Sequence, residues 1–268
     1  MSGIDAKSSV KPPVVDRFVE LGWTHVLGNR LQCQFEQVFV EGILVEALVR
    51  LNPVIAKKPG RAAEVLSRLR ATVLSAADEG LVAANERFTR WLCGLESVKF
   101  AEETHHTPIL LIDFNDQARN AFVFSDEVQF GAPAHRARFD IVDFVNGLPL
   151  VVGWTKTVAD AMVSWSKGAK DIAEDYQPSH PAFSVPNVFF FATEGKALAV
   201  ASTGAPVAAW QPWGPSRPNP TLLDVLEHLD GLVSPAVPLT LLHDYVVYEA
   251  PGQRGGLDRD TITNWANS

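Results

Sequence analysis

The run RFDIVDFVNGLPLVVGWTK, Arg138 to Lys156, constrains the fold more than any other part of the chain. Two apolar, β-rich segments flank Asn146-Gly147, the dipeptide best suited to the two positive-φ positions of a tight hairpin turn. The run therefore predicts an antiparallel hairpin, Arg138–Val145 against Leu148–Trp154. Such pairing brings Asp140, near the start of one strand, close to Lys156, just past the end of the other. A carboxylate on one strand and an acid-x-Lys on the next form a device for hydrolysing phosphodiesters. Carboxylate oxygens are hard ligands that suit Mg²⁺. The metal polarises the phosphate and helps to make hydroxide from water. The lysine stabilises charge on the phosphoryl oxygens. On this reading Asp140 is a metal ligand and Lys156 the catalytic cation, but the acid position holds Trp154. Asp140 also has a purely structural reading. A strand carboxylate between Phe139 and Ile141 needs a partner when buried, and Arg136, Arg138 or Lys156 would serve without any metal.

The chain of 268 residues is long enough to bury a sizeable core, and its 47% hydrophobic and 20% charged content is that of a globular protein. A formal charge of −8 argues against a globally basic nucleic-acid binder and leaves DNA contact to a local basic face or to a larger partner. Cys33 and Cys93 have no metal-ligand spacing and read as reduced, buried, small hydrophobes. The first residues contain no apolar signal core, and no apolar run approaches the length of a membrane span. These features together predict a cytoplasmic protein with no membrane partner.

Helical stripes are expected over Val38–Pro53, Pro59–Ala77 and Leu81–Leu95. Short β-rich runs follow at Pro108–Phe114, Ala121–Phe130, Arg138–Val145 and Leu148–Trp154. A helix is expected over Thr157–Tyr176, strands at Pro186–Thr193 and Lys196–Ser202, and a helix at Thr221–Leu232. Thr240–Glu249 is compatible with helix or strand. The five prolines of residues 205–220 mark a surface connection, on which Trp210 and Trp213 are expected to pack. The element order predicts an α/β (α+β) fold with a central mixed sheet flanked by helices. Residues 1–13 read as a polar arm, 14–249 as one domain, and 250–268 as a polar tail or the start of a linker.

Phosphate-loop, dinucleotide, His-Glu-x-x-His and Gly-x-Ser-x-Gly signatures are absent, so the sequence carries no recognisable ATP site. What remains is the hairpin, and its context is informative. RFDIVDFVNGLPLVV followed by x-x-Lys resembles the nuclease hairpin in the N-terminal domain of type I restriction enzyme R subunits. VEGILVEALVRLNP, ILLIDFNDQARNAFVF, ADAMVSW with DIAEDYQ, SVPNVFFFATEGKALAVAS and LTLLHDYVVYE look like further segments of the same family, from about Val38 to Glu249. The resemblance implies a PD-(D/E)xK restriction-endonuclease-like fold that cleaves double-stranded DNA with Mg²⁺ in defence against foreign DNA. It implies restriction-modification subunits or motor domains as further partners. It also implies that the first helix of the nuclease fold points a glutamate, by position Glu41, into the site as a third catalytic group and metal ligand.

The sequence departs from that pattern in two places within the matched region. Trp154 replaces the acid of acid-x-Lys, removing a ligand and adding an indole where an ion and a phosphate would sit. The family's Gln-x-x-x-Tyr, anchored on Tyr176, has Ile172 in place of the Gln. Three readings therefore stay open. In one, Mg²⁺-dependent cleavage is lost or weakened. In another, a relocated carboxylate such as Glu174, or Asp143, Asp160 or Asp175, keeps the enzyme active. In the third, the fold is a non-catalytic module for DNA binding or complex assembly. The candidate DNA contacts are Arg136, Arg138, Lys167 and Lys170, with Lys57, Lys58, Arg61, Arg68 and Arg70 as a second basic group.

Overall fold

The computed structural model describes residues 10–31, 35–156 and 164–247, together with the backbone of Gly256–Leu257. Its centre is a seven-stranded sheet whose strands lie side by side in chain order. They are β1 (Thr24–His25), β2 (Phe122–Phe130), β3 (Ala137–Val145), β4 (Leu148–Thr155), β5 (Phe189–Thr193), β6 (Leu198–Ser202) and β7 (Gln211–Pro212). The β1–β2 and β4–β5 pairs are parallel and the others antiparallel. This is the expected mixed sheet flanked by helices, and it is consistent with a restriction-endonuclease-like fold. No single helix among the described residues is long and apolar enough to cross a membrane.

The hairpin forms as its sequence predicts. Asn146 and Gly147 take φ of 53° and 80°, the left-handed pair that closes a two-residue turn. The β3–β4 register runs from Val145↔Leu148 to Ile141↔Gly153, with one irregularity at Asp143/Phe144. Every residue of β4 is buried, as befits a central strand covered on both sides.

Helices α1 (Lys11–Glu20), α2 (Glu41–Leu51), α3 (Arg61–Leu74) and α4 (Leu81–Leu92) precede the hairpin. The last three follow the apolar stripes: α2 buries Leu44, Ala47, Leu48 and Leu51, α3 buries Val65, Leu66, Leu69 and Val73, and α4 buries Phe88, Trp91 and Leu92. After the hairpin come α5 (Trp165–Lys170), the short α6 (Pro181–Ser184) and α7 (Leu222–Val233). Thr221 caps α7 in a reciprocal box with Asp224.

Three expectations need correction. Ordered structure begins before Val14, because Pro12 and Pro13 sit in the first turn of α1. Proline is tolerated there, since those N–H groups have no intrahelical partner. Pro108–Phe114 is not a strand beyond Thr107–Pro108. Ile109, Leu111 and Ile112 are buried while Leu110 is exposed, but side chains rather than a ladder satisfy much of its backbone. Asn52 bonds both the N–H and the carbonyl of Leu110, at 2.8 Å each, and Asn146 donates to the Leu111 carbonyl at 2.8 Å. Thr240–Glu249 divides between types: helical turns reach Tyr245, and Val246–Val247 pairs with Gly256–Leu257. In the Pro-rich connection Trp210 and Trp213 are buried, and Pro212 lies on the edge strand β7, where its missing N–H costs no ladder bond. Residues 1–9 of the proposed arm, most of the tail, Cys33, Asp160 and residues 157–163 of the expected helix lie outside the described residues.

Candidate functional site

The open end of the hairpin brings Asp140, Trp154 and Lys156 together. Past Ile141↔Gly153, an Asp140 carboxylate oxygen accepts the Thr155 N–H at 3.0 Å. The carboxylate thus takes the place of a ladder partner, which accounts for a buried acid on this strand without a metal. Lys156 continues β4, its N–H donating to the Thr193 carbonyl at 3.1 Å. Its ammonium lies 5.5 Å from the centre of the Trp154 ring, within cation–π range.

Trp154 is only 2% exposed. It pairs with Ala192 of β5, and its indole lies flat against α5. A Cβ at Gly168 of that helix would collide with the indole ring. The indole N–H donates to Asp171 at 3.1 Å, and Asp171 is paired with Lys167 at 3.5 Å. The side chain in the acid position is therefore packed, bonded and roofed.

The helix over this site explains why Asp171 reaches it. After Lys170 the helix widens into a π-turn, Asp171–Tyr176, bonded i to i+5. Residues five apart then share a face, so Asp171 and Tyr176 both meet the sheet. Tyr176 packs edge-on against Phe139 with centroids 5.1 Å apart, and its hydroxyl donates to the Arg138 carbonyl at 3.3 Å. Burial, aided by Asp140, Asp171 and Asp175, pushes its phenol up to about 12. Ordinary helical spacing from Tyr176 pointed to Ile172, which is buried. The wider turn moves the site-facing position back by one, to Asp171. Sequence reasoning missed this residue, and its only signal was the Lys167–Asp171 spacing. It also missed Glu194, a buried acid just past β5 that accepts the Trp165 N–H at the start of α5 and is pushed up by burial.

Glu41 does not join the site. Val40, the residue before it, donates its N–H to the Gly147 carbonyl at 2.9 Å, so the start of α2 is fixed to the closed end of the hairpin. Asp140 lies at the opposite end of β3, roughly 20 Å away at about 3.3 Å per strand residue. The Glu41 carboxylate instead takes the Arg70 guanidinium, with Nε at 2.9 Å. Nor does the structure place the other acids there. Glu174 turns to Lys170 at 3.7 Å, Asp175 accepts the Ser179 hydroxyl at 3.4 Å, and Asp143 is sealed in the core. Among the described residues, no group of three or more His, Cys, Asp or Glu side chains converges as a metal site. Among the described residues, which exclude Asp160, the donor set therefore does not fit the Mg²⁺ that the resemblance implied.

Arg138, Lys167 and Lys170 of the expected DNA contacts face acids, whereas Arg136 stacks on a ring. Arg136 lies 3.7 Å over the Phe35 ring, Arg138 faces Glu127 at 3.9 Å, and Lys167 and Lys170 pair with Asp171 and Glu174. In the second basic group Lys58 holds Glu102, Arg61 holds Glu103, Arg68 holds Glu64 and Arg70 holds Glu41. Paired charges of this kind cancel the local field that would attract a phosphate backbone.

A seven-stranded mixed sheet, a hairpin with Asp140 and Lys156 at its open end and a helix laid over them agree with one family description. Residues 7–207 match the family model for the type I restriction enzyme R protein N terminus. The chain belongs to that family. No curated protein matches it. The family's architecture is kept, with Trp154 standing where the resemblance implies an acid.

Proposed function

We propose that this chain is a type I restriction R-subunit-like nuclease domain that has lost Mg²⁺-dependent cleavage of double-stranded DNA. It serves restriction of foreign DNA as a non-cutting module for assembly or DNA contact. The observation that carries this reading is the Trp154 indole, buried in the acid position and bonded to Asp171. The matched cations favour assembly with other restriction subunits over autonomous DNA binding. The active alternative now centres on Asp171 rather than Glu174, because Asp171 is the acid that touches the site.

The test is incubation of supercoiled plasmid with Mg²⁺ or Mn²⁺, using the native chain, Lys156→Ala and Asp171→Asn. The expected result is no nicking by the native chain above that of Lys156→Ala. Nicking that disappears in both variants would overturn the proposal and establish an enzyme built on Asp171.

A further inference from the structure

Asp143 is the one acid of the hairpin without an assigned role, and its surroundings are unusual. It sits mid-strand on β3, between Phe124 of β2 and Val151 of β4, where the β3–β4 register shifts. It is fully buried, and neither carboxylate oxygen has a hydrogen-bond partner. Cross-strand partners share a face of the sheet, so Asp143 faces the side that carries Phe124. On that side the Phe18 ring of α1 stacks on Phe124 with centroids 4.9 Å apart, and on Phe191 of β5 at 6.5 Å. β3 and β4 run between those two strands. Phe18 therefore roofs the strip of sheet that contains Asp143.

We propose that Asp143 makes the seating of α1 on the sheet depend on a proton: α1 rests over a neutral Asp143 and lets go locally when that carboxyl ionises.

Burial alone raises the Asp143 carboxyl well above the ordinary carboxylate range. An acid that holds its proton more tightly in the seated state favours that state while it is protonated. The preference fades as pH climbs from the ordinary range through the raised value. Ionisable groups on the neighbouring elements are engaged elsewhere. On α1, Arg17 turns to Asp230 of α7 and to Glu20, and Asp16 is exposed. His25 of β1 stacks on Phe124 at 4.7 Å and bonds Asp126 of β2 at 2.9 Å. The nearest residues of β4 and β5, namely Val151, Gly153, Phe189 and Phe191, carry no charge. An ionised Asp143 thus has no counter-charge to turn to on these elements, and in the proposed opening water reaches it as Phe18 moves.

The test is hydrogen exchange by mass spectrometry on the full chain at about pH 6 and about pH 9, with times scaled for chemical exchange. One ionising group changes an opening equilibrium by up to about tenfold per pH unit. Peptides spanning 11–20 are expected to lose at least about tenfold in protection at the higher pH. Peptides spanning 139–155 keep theirs, and Asp143→Asn abolishes the difference. If Asp143→Asn does not fold, Asp143→Leu removes the same proton and fills the same space. The proposal is overturned if α1 protection does not change with pH in the native chain, if a folded Asp143 variant loses it equally, or if the hairpin loosens in step with α1.

Discussion

Trp154→Glu should cost about 4 kcal/mol of folding stability and should not create a metal site. Three effects add. Truncating a fully buried large aromatic typically costs about 3–5 kcal/mol through lost transfer energy and the cavity left behind. The glutamate places a carboxylate in the same shell as Asp140 and Asp171, where burial disfavours a second and third charge. Asp171 also loses the indole N–H that it accepts. Urea titration followed by far-ultraviolet circular dichroism measures the loss, and calorimetry with Mn²⁺ checks for a site. A variant within about 1 kcal/mol of the native chain that binds one Mn²⁺ would mean the acid position is only nominally filled. The double variant Trp154→Glu/Gly168→Ala sharpens the result. Gly168→Ala alone clashes with the indole, so it should be strongly destabilising by itself and much less so once the indole is gone. That non-additivity is expected of two residues in direct contact. It would show that the helix over the site has adapted to the tryptophan.

The sequence carried the hairpin clearly because its two signals are local. Asn146-Gly147 selects the turn, and alternation and β-branching select the strands. The helical stripes of α2, α3 and α4 were equally local. The failures share a different cause. Ile109–Phe114 looks like a strand by composition, but side chains from distant segments supply its backbone partners, and no window of sequence shows that. The helix Lys11–Glu20 was missed, and its first turn was assigned to the polar arm, although Pro12 and Pro13 stand where a helix tolerates them. Glu41 took its role from the resemblance alone, and its place at the closed end of the hairpin, paired with Arg70, does not support that role. Asp171 was hidden by a π-turn, which shifts the helical face by one residue and has no simple sequence mark. At the site itself, Asp140, Trp154 and Lys156 were legible because strand pairing alone brings them together.

Asn146→Ala should be the most damaging small substitution far from the site, costing about 3–5 kcal/mol in the same urea titration. The Asn146 amide donates to the Leu111 carbonyl and to the Asn120 side chain, each at 2.8 Å. Its oxygen accepts the Ala121 N–H at 2.8 Å and the Arg50 guanidinium at 3.1 Å. Alanine leaves the buried partners without a bond, at about 1–3 kcal/mol each, and lacks the polar side chain by which asparagine tolerates positive φ, for roughly 1 kcal/mol more. Asn146→Gly separates the two, since it keeps the backbone at ease and loses only the bonds. A cost below about 1 kcal/mol for Asn146→Ala would mean that this network does not pin the hairpin. The network gathers much of what makes the chain resemble its family: Asn146 of the turn, Asn120 and the 109–114 segment. All of it lies at the closed end, a strand's length from Lys156. The bonds that fix the hairpin therefore lie at one end, and Asp140, Trp154 and Lys156 at the other. A change in the acid position leaves that network untouched, so the proposed loss of cleavage is compatible with an intact Asn146-Gly147 turn.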